Sequence, residues 1–180
     1  MKINTIMGKN LYLEPMKEKT YSFLVKWLSD SNIIKFLDDS ECNLTLEEVK
    51  KIYPLYHVNE KNILFSIIEK NSDQIIGICG IQKIDKNKKN AFLRIIIGDT
   101  NFWDGKTALE SEKLLLQFTF NDLKLNKIYS IINVNNNGQA LLVERLSMKK
   151  DGISRNHFIQ NGKYVDANLY SILSNEFRDF

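Results

Sequence analysis

Apolar residues along this chain switch between two spacings, and the switches mark out its elements. Leu11 and Leu13 alternate with polar neighbours over residues 11–15, which predicts a short strand. Over residues 17–29, Tyr21, Leu24 and Leu28 recur at helical spacing with Trp27 beside them, so that stretch reads as a helix. An acidic loop follows at Asp38, Asp39, Ser40 and Glu41. Thr45 and Glu48 then have the spacing of a capping box, the threonine accepting from the first turn and the glutamate reaching back. The helix they open carries Val49, Ile52 and Tyr53, and Pro54 ends or kinks it, because proline has no N–H to continue the ladder.

Beyond Pro54 the spacing becomes strand-like. Runs at 64–69 and 75–84 flank the polar turn Asn71-Ser72-Asp73, and a third run at 91–97 is dense in β-branched residues. Residues 107–123 predict the strongest helix, with Leu115, Phe118 and Leu123 on a wide apolar face. Residues 127–134 read as a strand, and Asn137 is placed to cap a helix through Leu141, Leu142 and Leu146. Runs at 153–160 and 163–173 surround Asn161-Gly162, the best short-range hairpin signal in the chain. The order predicts an α/β (α+β layered) fold. About four helices pack on a mostly antiparallel sheet of about seven strands, in one domain over residues 1–180.

Composition narrows the functions. At 43% hydrophobic and 26% charged, the chain is too apolar to be disordered and long enough to bury a core without disulfides. Its formal net charge is +3 with the basic residues dispersed, which argues against a nucleic-acid partner, since phosphate binding needs clustered cations. Cys42 and Cys79 have no spacing for zinc or a redox pair, no metal is expected, and Cys79 lies in an apolar run and reads as core. Residues 1–10 contain no long apolar stretch, so neither a signal peptide nor a membrane span is expected, and a cytoplasmic protein follows by default.

Several words in this order resemble the GNAT superfamily of acyl-CoA N-acyltransferases, in particular the branch of ribosomal-protein N-terminal acetyltransferases. Residues 8–15 (GKNLYLEP) look like the family's opening strand. Ile97-Gly98-Asp99 through Phe102-Trp103 look like the end of its fourth strand and the following loop. Glu110, Leu114-Leu115-Leu116 and Phe118 to Phe120 match its central helix, Leu125 to Tyr129 its next strand, and Asn161 to Tyr164 with Asp166 its closing hairpin. The resemblance implies a sheet splayed after the fourth strand and acetyl-CoA, or another short acyl-CoA, as co-substrate. Its pantetheine arm would pair with Ile95, Ile96 and Ile97, where a backbone N–H would serve the oxyanion. Its pyrophosphate would meet the helix start at Trp103, Asp104, Gly105, Lys106, Thr107 and Ala108, where free N–H groups and the helix dipole suit an anion. Asn137 is a further implied contact.

Three departures from the family stand out. Its glycine-rich pyrophosphate loop is here Asp104-Gly105-Lys106-Thr107-Ala108, with Lys106 in place of the central glycine. Lys106 either offers its ammonium to the phosphates or obstructs the backbone, or else Gly105 takes over the turn with the loop shifted by one. Val143 stands where many relatives carry the tyrosine that protonates the leaving thiolate, and Ser147, one turn on, is the nearest alternative hydroxyl. Phe92 and Arg94 replace glutamate and glycine of the fourth strand, and Arg94 is either a surface cation or a hold for an anionic substrate.

Of the two histidines, His157 in the closing hairpin is the better general base, the alternative being a plain exposed or core residue. His57 follows the second helix. Asp38 and Asp39 would attract a cationic amine or simply form a solvated loop, and Tyr164 would donate from the last strand or pack. The reading is therefore acyl transfer to a primary amine of a small molecule such as a nucleotide-linked amino sugar, by a monomer or homodimer without nucleic-acid or membrane partners. The alternatives are an N-terminal protein or polyamine acetyltransferase, or a catalytically impaired acyl-CoA-binding module.

Overall fold

The computed structural model describes residues 3–178. Among them are eight strands and five α-helices in one sheet of order β1-β2-β3-β4-β5-β6-β8-β7. The predicted first strand, β2 (Leu11–Pro15), is flanked by a two-residue strand β1 (Ile6–Met7) too short to show a period. The helix expected over 17–29 is shorter. A 3-10 turn at Glu18–Thr20 leads into α1 (Tyr21–Trp27), and a separate α2 (Ser31–Ile34) starts where Asp30 accepts from the N–H of Asn32 at 2.8 Å. The capping box forms as expected, with Thr45 N–H donating to Glu48 at 2.8 Å, and opens α3 (Leu46–Ile52). Pro54 then turns the chain into a 3-10 segment.

The strands β3 (Ile63–Glu69), β4 (Ile75–Asp85) and β5 (Asn90–Ile97) pair antiparallel in sequence order. The helix predicted over 107–123 divides: α4 (Lys106–Gln117) passes into a π-helical turn at Phe118–Asp122. The wider turn lets Phe118, Thr119 and Phe120 all be buried, which a regular helix on one face does not allow. After β6 (Lys127–Asn133), α5 (Asn137–Arg145) is capped by Asn136, not Asn137: the Asn136 side chain accepts from Gln139 N–H at 3.1 Å. The chain closes with β7 (Lys149–Gln160) and β8 (Lys163–Leu173), whose Asn161-Gly162 turn has positive φ at both residues, as a type I′ turn requires.

Strand alternation gives the sheet two apolar faces. Leu93, Leu115 and Leu116 lie in the cluster on the α4 side, while Ile96, Leu24, Leu28 and Val49 lie in the cluster under α1 and α3. Cys79 is wholly buried in the first cluster, a core residue. Just after β5, Gly98 presses against the face of Trp27. A Cβ there would come within 1.9 Å of the indole ring.

Gly98→Ala should therefore lower stability by at least the ~1–3 kcal/mol usual for overpacking, because the obstacle is a buried ring with no room to retreat. Denaturant unfolding checks this, and an unchanged midpoint would refute the close approach.

Candidate active site

The site grows out of one break in the sheet. β5 and β6 run parallel but pair only over Asn90–Phe92 and Lys127–Tyr129, so their remaining lengths diverge. In an antiparallel pair alternate residues turn their N–H and C=O to the partner. The carbonyl of Leu93 accepts from the Ser130 hydroxyl at 3.5 Å and that of Ile97 from the Trp103 indole N–H at 2.9 Å, so the odd-numbered residues of β5 face the gap. Ile95 lies between them and turns its backbone N–H and C=O the same way. The gap opens into a cleft of about 980 Å³ reached from both faces of the sheet.

On the α4 side, Ile95, Ile97, Trp103, Gly105 and Ala108 line this cleft, Asn137 joins them from the start of α5, and Ile96 lines it from the opposite face. Asp104, Lys106 and Thr107 form the adjoining helix end. The Asp104 carboxylate accepts from Lys106 N–H at 2.9 Å and Thr107 N–H at 3.0 Å. These backbone hydrogen bonds, Thr107's first, hold the Asp104 carboxyl below the usual range. Gly105 between them takes φ 72°, left-handed backbone with open space where a side chain would be. The β5 edge is open, and the N-terminus of α4 beside it already carries the negative charge of Asp104.

On the opposite side the acidic loop is a fastening. Asp38 accepts from Ile159 N–H at 2.8 Å and from Ser40, and Asp39 accepts from Asn161 N–H at 2.9 Å and Gly162 N–H at 3.0 Å. Gln160 adds a hydrogen bond to the Lys35 carbonyl. Residues 35–39 thereby latch the tip of the β7–β8 hairpin across the cleft. Asp38 lines it and Asp39 does not. Of the two readings of Asp38 and Asp39, a lure for a cationic amine or a solvated loop, the structure adds a third role: both carboxylates hold backbone N–H groups of the hairpin. The Asp38 carboxyl is held low by the Ser40 hydroxyl first and Ile159 N–H second.

Arg94 is neither a surface cation nor a free one. Its guanidinium clasps Glu41 through two hydrogen bonds of 3.0 and 2.6 Å at the wall of the cleft. His157 lines the mouth, its Nδ1 3.1 Å from the Ser154 hydroxyl. His57 is held elsewhere, 2.8 Å from the Tyr21 hydroxyl, and burial lowers its pKa. Ser147 and Tyr164 do not join the site. Ser147 ends α5 exposed in left-handed backbone, φ 64°, and Tyr164 is 69% exposed on the hairpin. Val143 is wholly buried in the core and Leu142 reaches the cleft in its place. One participant had no sequence signal: Glu112, buried in α4, accepts from the Gln139 side chain at 2.7 Å and so ties α4 to the first turn of α5. Its other oxygen has no partner, and burial pushes its pKa up to about 8.

A parallel strand pair parted beside a helix N-terminus, with helices on both faces, defines an acyl-CoA N-acyltransferase fold. Residues 10–149 match the acetyltransferase (GNAT) domain family, and the chain belongs to it. It is 26% identical to the uncharacterized N-acetyltransferase p20 of Bacillus licheniformis over 97% of this chain and 99% of that one. It is 22% identical to the spermidine N(1)-acetyltransferase of Vibrio cholerae over 95% of this chain and 97% of that one. The crystal structure of the Vibrio cholerae spermidine N-acetyltransferase with CoA and spermine superposes with a TM-score of 0.84 at 21% identity, covering 93% of this chain and 97% of that one. A GNAT acetyltransferase structure from Bacillus anthracis gives 0.81 at 18%, covering 96% and 99%. The chain is thus an N-acetyltransferase that uses acetyl-CoA.

Two outcomes follow from this geometry. Asp104→Asn keeps a capping oxygen but removes the charge beside the pyrophosphate seat. It should tighten CoA roughly fivefold, the ~1 kcal/mol of two charges ~4 Å apart in water, and leave phosphate-free pantetheine unaffected by calorimetry. Because the folded pKa of Glu112 is raised from 4.5 to about 8, its stabilising share is complete below pH 4.5 and disappears as pH rises through 8. Glu112→Gln should flatten the fall of melting temperature over that window.

Proposed function

We propose that this enzyme transfers an acetyl or other short acyl group from acyl-CoA to the primary amine of a small molecule. The observation that carries this reading is the free backbone of Ile95 at the parted strand edge, facing a cleft latched on its far side. The thioester supplies an activated acyl group. Ile95 N–H donates to its carbonyl oxygen as negative charge develops there, and Trp103 holds the strand end through Ile97. The amine forms its bond to the acyl carbon as the carbon–sulfur bond breaks. His157, at the cleft mouth, takes up the proton the amine loses, directly or through water. The position read as the place of the family's tyrosine holds Val143, buried in the core, and a thiolate of pKa ~8.5 leaves without that acid.

The latch disfavours a protein N-terminus. A protein N-terminus must bring its following residues past the acceptor wall, and there the hairpin tip is fastened by backbone N–H groups of Ile159, Asn161 and Gly162. The ribosomal-protein-like reading is therefore set below a small acceptor. A polyamine is the second reading, favoured by the similarity to the Vibrio cholerae spermidine enzyme.

Release of free CoA thiol from acetyl-CoA, screened across amine classes, tests the proposal. Release that depends on a small primary amine is expected. A folded protein that binds CoA yet releases thiol with none of them would be an impaired module. His157→Gln should lower kcat by ~10²-fold with little change in donor KM.

A further inference from the structure

The charged groups of the cleft are sorted in a way that bears on the acceptor. Three cations, Lys35, Lys83 and Arg94, and two carboxylates, Asp38 and Glu41, line it. Both carboxylates are committed. Glu41 faces both terminal nitrogens of Arg94, and Asp38 holds Ser40 and the backbone of Ile159. The two lysines are placed differently. The Lys35 ammonium lies 5.1 Å from the Phe36 ring centre and 5.8 Å from that of Trp103, and the Lys83 ammonium lies 5.8 Å from that of Phe92. Among the described residues neither forms an ion pair.

Strand alternation assigns these groups to sides. Phe92, Arg94 and Ile96 share one face of β5, and Ile96 packs in the cluster under α1 and α3, away from α4. Lys83 over Phe92 is thus on the acceptor side, while Lys35 reaches toward Trp103 where the two sides meet. A polycation entering here meets one unpaired carboxylate, Asp38, already hydrogen-bonded to Ser40 and Ile159, against two unpaired ammonium groups. An anion finds the reverse, with aromatic walls at Phe36, Tyr53, Tyr56 and Phe92 for an attached ring.

We infer that the acceptor is a primary amine that also carries an anionic group, and that Lys83, seconded by Lys35, is the residue that selects it. The inference rests on the acyl-transfer reading and narrows it. A sugar amine linked to a phosphate or nucleotide belongs to this class. A spermidine-like chain does not. Lys83 binds the anion while the amine of the same molecule reaches the parted strand edge, so the charge acts mainly on KM rather than on the bond-making step.

Matched acceptors test this with the intact protein and acetyl-CoA: glucosamine against glucosamine 6-phosphate, butylamine against γ-aminobutyrate, and spermidine. The anionic member of a pair should have the higher kcat/KM by about tenfold, the size of one charge-assisted hydrogen bond, with spermidine poorest. Preference in the phosphate pair alone or in the carboxylate pair alone tells which anion is read. Lys83→Glu should bring the ratio within each pair to one or below, chiefly through KM, and Lys83→Ala should go part of the way. Spermidine as best acceptor, or ratios that Lys83→Glu leaves intact, would overturn the inference while keeping the acyl-transfer reading. Should no amine be acylated, thermal shifts decide. Stabilisation by glucosamine 6-phosphate, absent with glucosamine and lost in Lys83→Glu, upholds the anion site and removes the function, and no such shift overturns both.

Discussion

Parallel strands β5 and β6 share only the three pairs from Asn90 to Phe92, and everything functional in the molecule is an answer to that short partnership. Backbone groups that lose a ladder partner inside a sheet must find another or face water. Leu93 finds Ser130, Ile97 finds Trp103, and Ile95 finds neither, which makes its N–H and C=O the groups a ligand can claim. The cores on the two faces keep the strands apart: α4 packs beneath one side and α1 with α3 beneath the other. Gly98 completes the arrangement by letting Trp27 close against the end of β5, so the strand that carries Ile95 is gripped from the acceptor side as well.

Charge is handled by neutralisation before it is offered. Glu41 and Arg94 satisfy each other at the wall through a bidentate pair in which Arg94 is the more buried member. Asp104 holds the first N–H groups of α4 with a formal charge, so the helix start carries a carboxylate beside the Lys106 backbone. Glu112 remains mostly protonated at neutral pH by burial, which lets it link two helices without bringing a charge into the core.

Most of the architecture was legible from periodicity. β8 runs over the residues expected of it because Asn161-Gly162 suits a tight hairpin turn, and α3 begins just after its cap Thr45 because its capping box is local. What failed was local detail with competing answers. In the run Asn135-Asn136-Asn137 each residue can cap, and the turn after β6, closed by Asn136 N–H on the Asn133 carbonyl at 2.8 Å, brings Asn136 to the helix start. The π turn after Gln117 has no period of its own. Where a motif carried the reading, Ile95 to Ile97 and Gly105 reach the cleft, whereas the part the acidic loop plays in holding the hairpin left no signal. Its partners are backbone N–H groups 121 to 123 positions away, and a main-chain donor leaves no mark in side-chain identity. Ser147 had the right chemistry at a helix end that faces outward.

That asymmetry in the latch has an evolutionary side. One half is written in two specific carboxylates, Asp38 and Asp39, and the other half in peptide groups that every non-proline residue possesses. Apart from Gln160, whose side chain also holds the Lys35 carbonyl, side chains at Ile159 and along the hairpin can therefore be exchanged without removing these bonds. The region that faces the acceptor is free to drift in shape and polarity while its position stays anchored, so a new acceptor can be acquired in this scaffold through hairpin substitutions alone.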